Sequence, residues 1–355
     1  MIKVIEFASV LAGPAVGLFF AELGAEVIKV ENKRTGGDVT RGWKSPGEDP
    51  AGPVSAYWAS VNYRKTYRML DLEDPADRQQ AIELALGADV VISNFSPATA
   101  LGFGLDAAAL MAQNPRLIYA QLHAYPDETD QRPAFDVVLQ AETGFMSMNG
   151  EPERPAVKMP VAFIDLLAAH QLKEGILLAL WQREKTGRGA LVRTSLFESA
   201  VASLANQATN WLMAGHLPGP MGSQHPNIAP YGDQLWCANG EPIVLAVGTE
   251  RHFERLCAAL DEPEKCHDPR FQNNSMRVLH RSELLEWLSS RFREQDIEHW
   301  MAALRRHGVP AAPIRNLQEL FEHPDAQAMV LDSTEENVPT RRVRSVAFQL
   351  TYFPE

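Results

Sequence analysis

Hydrophobic positions along this chain follow two rhythms. Short apolar runs at residues 3–7, 26–30, 67–70, 89–92 and 117–120 have the length and β-branched content of buried strands. Between them apolar residues recur every three or four positions, which predicts helices over 16–23 and around 78–86. Gly13-Pro14 opens the first helix and Gly24 closes it. Strand, helix and strand in this order make βαβ units, and these build parallel sheets through right-handed crossovers. Residues 193–196 supply the last strand, before a helix over 198–213. The expected architecture is α/β, with a doubly wound, mostly parallel, Rossmann-like sheet over residues 1–195.

The rhythm then breaks. Residues 196–232 read as a helix and linker, because GHLPGPMGSQHPNIAPYG is too dense in Gly and Pro for any period. Residues 234–237, a turn at Asn239-Gly240 and residues 243–247 read as a hairpin. Helical spacing follows over 252–260, 282–292 and 297–307, so 233–307 forms a smaller α+β domain. Residues 308–355 read as a linker that returns to the large domain and ends in a strand-like stretch, 342–349.

Composition narrows the partners. A chain of 355 residues with 45% hydrophobic and 22% charged residues has enough apolar material for a sizeable core. A net charge of -12 argues against a nucleic-acid-binding surface. No apolar run is long enough to span a bilayer, and the first residues lack a signal-peptide layout, so no membrane partner and a cytoplasmic location are expected. Cys237, Cys257 and Cys266 show no metal-type pairing, and no metal site is expected.

The candidate chemistry centres on Asp165. The run 161–164 reads as a strand or extended approach. After Asp165, apolar residues recur at Leu166, Leu167, Leu172, Ile176, Leu177, Leu180 and Trp181, and Lys185-Thr186-Gly187 closes a helix. Asp165 is thus placed at or just before a helix N-terminus, where free N–H groups and the dipole favour the ionised carboxylate. The residues alone leave it open between an ordinary N-cap and a nucleophile. No G-x-G-x-x-G follows the first strand, so the dinucleotide fingerprint is missing. Glu31, after the second strand, reads as a surface residue or a ribose contact.

Several segments, taken in order, carry a resemblance. They are the AGP helix, GDVTRGW, DVVISNFSP, NPRLIYAQL, AFDVVLQAETG, the Asp165 helix start, KTGRGALV, HPNIAPYG, DPRFQNNSMRVLHR and GVPAAPI. Together they resemble the family III CoA-transferases, the group that includes formyl-CoA transferase, carnitine CoA-transferase and the α-methylacyl-CoA racemases. The resemblance covers nearly the whole chain. It implies an interlocked homodimer acting on acyl-CoA and a small carboxylic acid, with CoA as substrate and no tightly bound cofactor. It implies that Asp165 attacks the thioester and carries the acyl group as an anhydride and then as an aspartyl-CoA thioester. By the same resemblance Val10, Leu11 and Ala12 line the pantetheine end, Lys33 or Arg34 meets the phosphates, and Leu70 or Leu72 lies near the adenine. Asn94, Phe95 and Thr99 continue that surface, and Phe103, Ala124, Tyr125 and Pro133 complete it.

Three departures from the family pattern stand out. Gly102 occupies a place where the family usually has a basic residue facing CoA. HAYPDETDQRP replaces a glycine-rich loop. Phe135 stands where the racemases have histidine, which removes one of two proton-transfer bases. The leading expectation is a CoA-transferase, with a small dicarboxylate such as succinate as acceptor. The alternatives are an acyl-CoA racemase or epimerase, or an inactive CoA-binding protein.

Overall fold

A computed structural model describes residues 1–130 and 132–351. The chain forms two compact units, one of residues 1–145, 158–216 and 327–355, the other of residues 146–157 and 217–326.

The large unit alternates strand and helix. In chain order come β1 (Lys3–Glu6), α1 (Ala12–Glu22), β2 (Glu26–Asn32), α2 (Ala56–Ala59) and β3 (Thr66–Leu70). Next are α3 (Pro75–Leu86), β4 (Val90–Ser93), α4 (Pro97–Phe103), α5 (Ala107–Gln113) and β5 (Ile118–His123). After α6 (Asp136–Glu142) and the short α7 (Phe145–Met148) runs the long α8 (Phe163–Thr186). The series ends with β6 (Leu191–Ser195), α9 (Leu196–Ala202) and α10 (Ala205–Ala214). The six strands pair in parallel in the order β3-β2-β1-β4-β5-β6. This is the doubly wound order, with its reversal between β1 and β4.

Period-two alternation explains why the strands read as continuous apolar runs. Val4, Val27, Val90, Ile92, Ile118 and Ala120 face a core shared with α1 and α8. Their neighbours Ile5, Ile28, Val91 and Tyr119 face a second core, shared with α3 and α5. With both faces covered, consecutive strand positions such as Val4-Ile5, Val27-Ile28 and Val90-Val91-Ile92 are apolar.

The small unit has an antiparallel sheet of β7 (Tyr231–Trp236), β8 (Pro242–Ala246) and β9 (Ala311–Pro313). Against it pack α11 (Glu250–Ala259), α12 (Asn274–Leu279), α13 (Arg281–Phe292) and α14 (Ile297–His307), followed by α15 (Leu317–Glu322) and α16 (Pro324–Gln327). The segment GVPAAPI, expected as linker, supplies β9, so its extended prolines pair at a sheet edge. The loop before β7 is clamped by arginines: Arg277 Nε donates to the Ala229 carbonyl at 2.9 Å, and Arg281 Nη2 to those of His225 and Ile228 at 2.6 and 3.0 Å.

Two further expectations are corrected. The single helix over 198–213 is two, α9 and α10, broken where Ala205 takes φ +48°. The final strand is not 342–349. It is a hairpin in the large unit, β10 (Val330–Glu335) and β11 (Val338–Val343), turned by Glu336 and Asn337, both at positive φ. Among the described residues no helix is long and apolar enough to cross a membrane.

Candidate active site

The C-terminal ends of β1 and β4 lie at the reversal of strand order, the crevice where open parallel sheets gather ligands. Asn94 joins these ends, accepting from the Ser9 N–H and donating to the Ser9 carbonyl, both at 3.3 Å. Ser9 lines two cavities. The first, of about 580 Å³, opens toward the ends of β2 and β3 and is lined by Arg34, Leu70, Leu72, Phe95, Thr99 and Phe103. The second, of about 660 Å³, opens toward β5 and β6 and is lined by Val10, Leu11, Ala12, Asn94, Ala124, Tyr125 and Asp165. Thirteen of the fifteen residues expected from sequence therefore border these two cavities. Lys33 and Pro133 do not: the Lys33 ammonium is exposed, 4.0 Å from Asp77, and Pro133 lies on the surface.

Asp165 sits in the first turn of α8 and is only 8% exposed. Of the extended approach expected over 161–164, the second half is helix, because Phe163 and Ile164 already begin α8. Nor does Asp165 cap it. The N–H groups of Ile164 and Asp165 donate to Asp136 Oδ2, at 2.7 and 3.2 Å, so a carboxylate from α6 takes the helix N-terminus. Gln140 Nε2 donates to the other Asp136 oxygen at 2.5 Å, and its own Oε1 accepts from the Met159 N–H at 2.8 Å. The donors expected to favour the Asp165 anion thus belong to its neighbour. Burial, and then the charge of Asp136, push the Asp165 carboxyl up to about 7. Near neutrality it is shared between acid and anion, with nucleophilic character when ionised.

Val10 is the strained residue of the site. Its φ of +72° is an outlier for a β-branched side chain, and such strain persists only where surroundings enforce it. Here the Val10 N–H donates to Asp38 Oδ2 at 3.1 Å. Asp38 is itself fixed by Thr40 and by Lys29 Nζ at 3.2 Å. Lys29 also pairs with Glu6 at 2.9 Å, and Glu6 with Lys65 at 2.8 Å, all of them buried. A Cβ on Gly17 would overlap the Glu6 carboxylate, so this position needs glycine to let the buried pairs form. The chain then enters α1 through Leu11 and Ala12, which line the Asp165 cavity, and the first N–H groups of a helix have no intrahelical partner. Oriented donors of this kind can stabilise an oxyanion.

Sequence reasoning missed Asp38, Lys29 and Glu6 because nothing in a loop Asp or a strand Lys announces pairing across the sheet. Tyr57 was also missed. Burial, and then the charges of Asp165 and Asp136, push its hydroxyl up to about 12, so it keeps its proton. Glu31, read as a surface residue or ribose contact, is buried and committed to Arg41 at 2.7 Å and Trp58 at 3.2 Å. His170, considered as a proton-handling neighbour, is exposed and lines a separate hollow.

The description of CoA-transferase family III matches residues 1–354. A succinate–glutarate CoA-transferase of Agrobacterium fabrum is 35% identical over 332 residues, covering 92% of this chain and 82% of that protein. A succinyl-CoA:glutarate CoA-transferase of Homo sapiens is 33% identical over 325 residues, covering 91% and 73%. Among solved structures, a CaiB/BaiF family protein of Brucella suis matches with a TM-score of 0.82 and 34% identity, over 99% of this chain and 92% of that one. Likeness over this whole length goes well beyond a shared motif. The chain belongs to CoA-transferase family III and is an enzyme that transfers CoA.

Proposed function

We propose that this transferase moves CoA from an acyl-CoA donor to a small dicarboxylic acid, with Asp165 as the covalent carrier. The observation that carries the reading is a buried, ionisable carboxyl beside Val10–Ala12 at the strand-order reversal. An Asp165 oxygen attacks the thioester carbonyl carbon, the C–S bond breaks, and CoA thiolate leaves a mixed anhydride. The thiolate then attacks the aspartyl carbonyl, releasing the donor acid and leaving an aspartyl-CoA thioester. The acceptor carboxylate displaces CoA from that thioester, and the thiolate finally takes the acceptor's acyl group. Each step exchanges one activated acyl bond for another, so no proton or external oxidant is needed. The N–H groups opening α1 stabilise the oxyanions.

The CoA nucleotide lies in the first cavity, with Arg34 toward its phosphates and Leu70 and Leu72 toward the adenine. Its pantetheine passes Ser9 and Asn94 into the second cavity. The names of the relatives support a dicarboxylate acceptor of the size of succinate or glutarate. The enzyme works as an interlocked homodimer, a reading supported by exposed apolar side chains on α8 and α10, among them Trp181, Trp211, Leu212 and Met213. Its three free cysteines suit a reducing cytoplasm.

The test is an acceptor panel. With succinyl-CoA as donor, C4–C6 dicarboxylates should give new acyl-CoA products by mass spectrometry, with monocarboxylates at least tenfold slower in kcat/KM. Equal rates for acetate and glutarate would remove the dicarboxylate assignment. Deuterium entering the substrate α-carbon without acyl exchange would favour a racemase instead.

A further inference from the structure

The chemistry proposed for Asp165 leaves a second buried carboxylate without a part in the reaction. Asp136, on α6, is 8% exposed and accepts three hydrogen bonds: from the Ile164 and Asp165 N–H groups and from Gln140 Nε2. Three donors and a helix N-terminus thus converge on this one carboxylate. Gln140 is locked in turn by the Met159 N–H, so its donor cannot swing away. Two carboxylates therefore share the first turn of α8, and only one of them has its charge compensated.

We propose that Asp136 is a positioning residue for acyl transfer: it seats the first turn of α8 and holds a fixed negative charge against Asp165. This inference rests on Asp165 being the nucleophile. The repulsion exists while Asp165 is a free anion and vanishes when an Asp165 oxygen bonds to an acyl carbon, because the adduct is neutral. Asp136 thus raises the free enzyme relative to both covalent intermediates and makes Asp165 a more basic nucleophile.

Other titratable groups surround α8. Tyr57 comes from α2, His123 from β5, Arg193 from β6 and Glu198 from α9, while Tyr125, Asp127, Glu128, Asp130 and Arg132 line the same cavity. Glu22 on α1, Glu142 on α6, and His170 and Lys173 further along α8 complete the set. Of all these neighbours only Asp136 adds to burial in moving the Asp165 carboxyl.

The experiment is Asp136→Asn, which keeps an oxygen for the two N–H groups and removes the charge. In kcat/KM for acyl-CoA against pH, the acid limb should move at least one pH unit lower than in the parent. At pH 8 kcat should fall about tenfold, with KM for acyl-CoA changed less than threefold. Asp136→Glu, which restores the charge, should return the limb toward its parental position. If Asp136→Asn does not fold, Gln140→Met gives the same readout with opposite sign: the Asp136 charge loses a compensating donor, bears harder on Asp165, and the limb moves up. An unmoved limb in the variant that folds overturns the inference, provided hydroxylamine still traps an acyl group on Asp165. Failure to trap that adduct in the parent instead overturns the nucleophile assignment itself.

Discussion

A carboxyl that ionises near 3.8 in the unfolded chain and near 7 inside the fold makes the native state hold an extra proton between those values. Stability conferred by the protonated form is intact at pH 4 and is lost as pH rises through about 7. The full loss is on the order of 4 kcal/mol. Asp165→Asn should therefore melt several degrees above the parent at pH 8 and together with it at pH 4, by calorimetry at both pH values. It should also transfer no CoA, the usual opposition between active-site chemistry and stability. If it melted with the parent at pH 8, Asp165 would not be strained in the fold. Gly102 invites the opposite experiment. A Cβ there meets nothing within 4 Å, and its neighbours Thr99 and Phe103 on α4 line the first cavity. Gly102→Arg places a cation at the cavity mouth and should lower KM for acyl-CoA about two- to fivefold. An unchanged KM would mean that the CoA phosphates lie elsewhere.

At the scale of elements, the strand ends carry the site, and a buried charge network beneath them holds their shape. Glu6 stands between Lys29 and Lys65, and Lys29 reaches Asp38, which fixes strained Val10. Glu6→Gln leaves the buried Lys65 ammonium without a carboxylate and Lys29 with Asp38 alone, and should cost roughly 3–5 kcal/mol by urea denaturation. A loss below 1 kcal/mol would show that water had replaced the carboxylate. This network is what the sequence hides. The strands β1, β2, β4 and β5 were readable because local apolar periodicity is a local property. The long helix of Asp165 was readable for the same reason. The capping of α8 by Asp136, 28 residues earlier, depends on a tertiary meeting that no periodicity encodes. The same holds for Glu31, which looked exposed at the end of a strand and is buried under Trp58 and Arg41. The β10–β11 hairpin escaped because its turn uses Glu336-Asn337 rather than a glycine pair.

Across the whole molecule, a net charge of -12 must still accommodate an anionic acyl-CoA and an anionic acceptor. Affinity then rests on local cations and buried apolar contacts, and not on long-range attraction. The homodimer reading predicts a sedimenting mass of about twice 39.4 kDa at micromolar concentration, whereas a single-chain mass would contradict it. The proposed chemistry converges on one covalent bond. The most direct measurement is to mix the enzyme with acyl-CoA, quench with hydroxylamine, and map the modified peptide by mass spectrometry. The account predicts a hydroxamate at Asp165 that needs acyl-CoA to form. Turnover with no modification there, or with the label on another side chain, would contradict it.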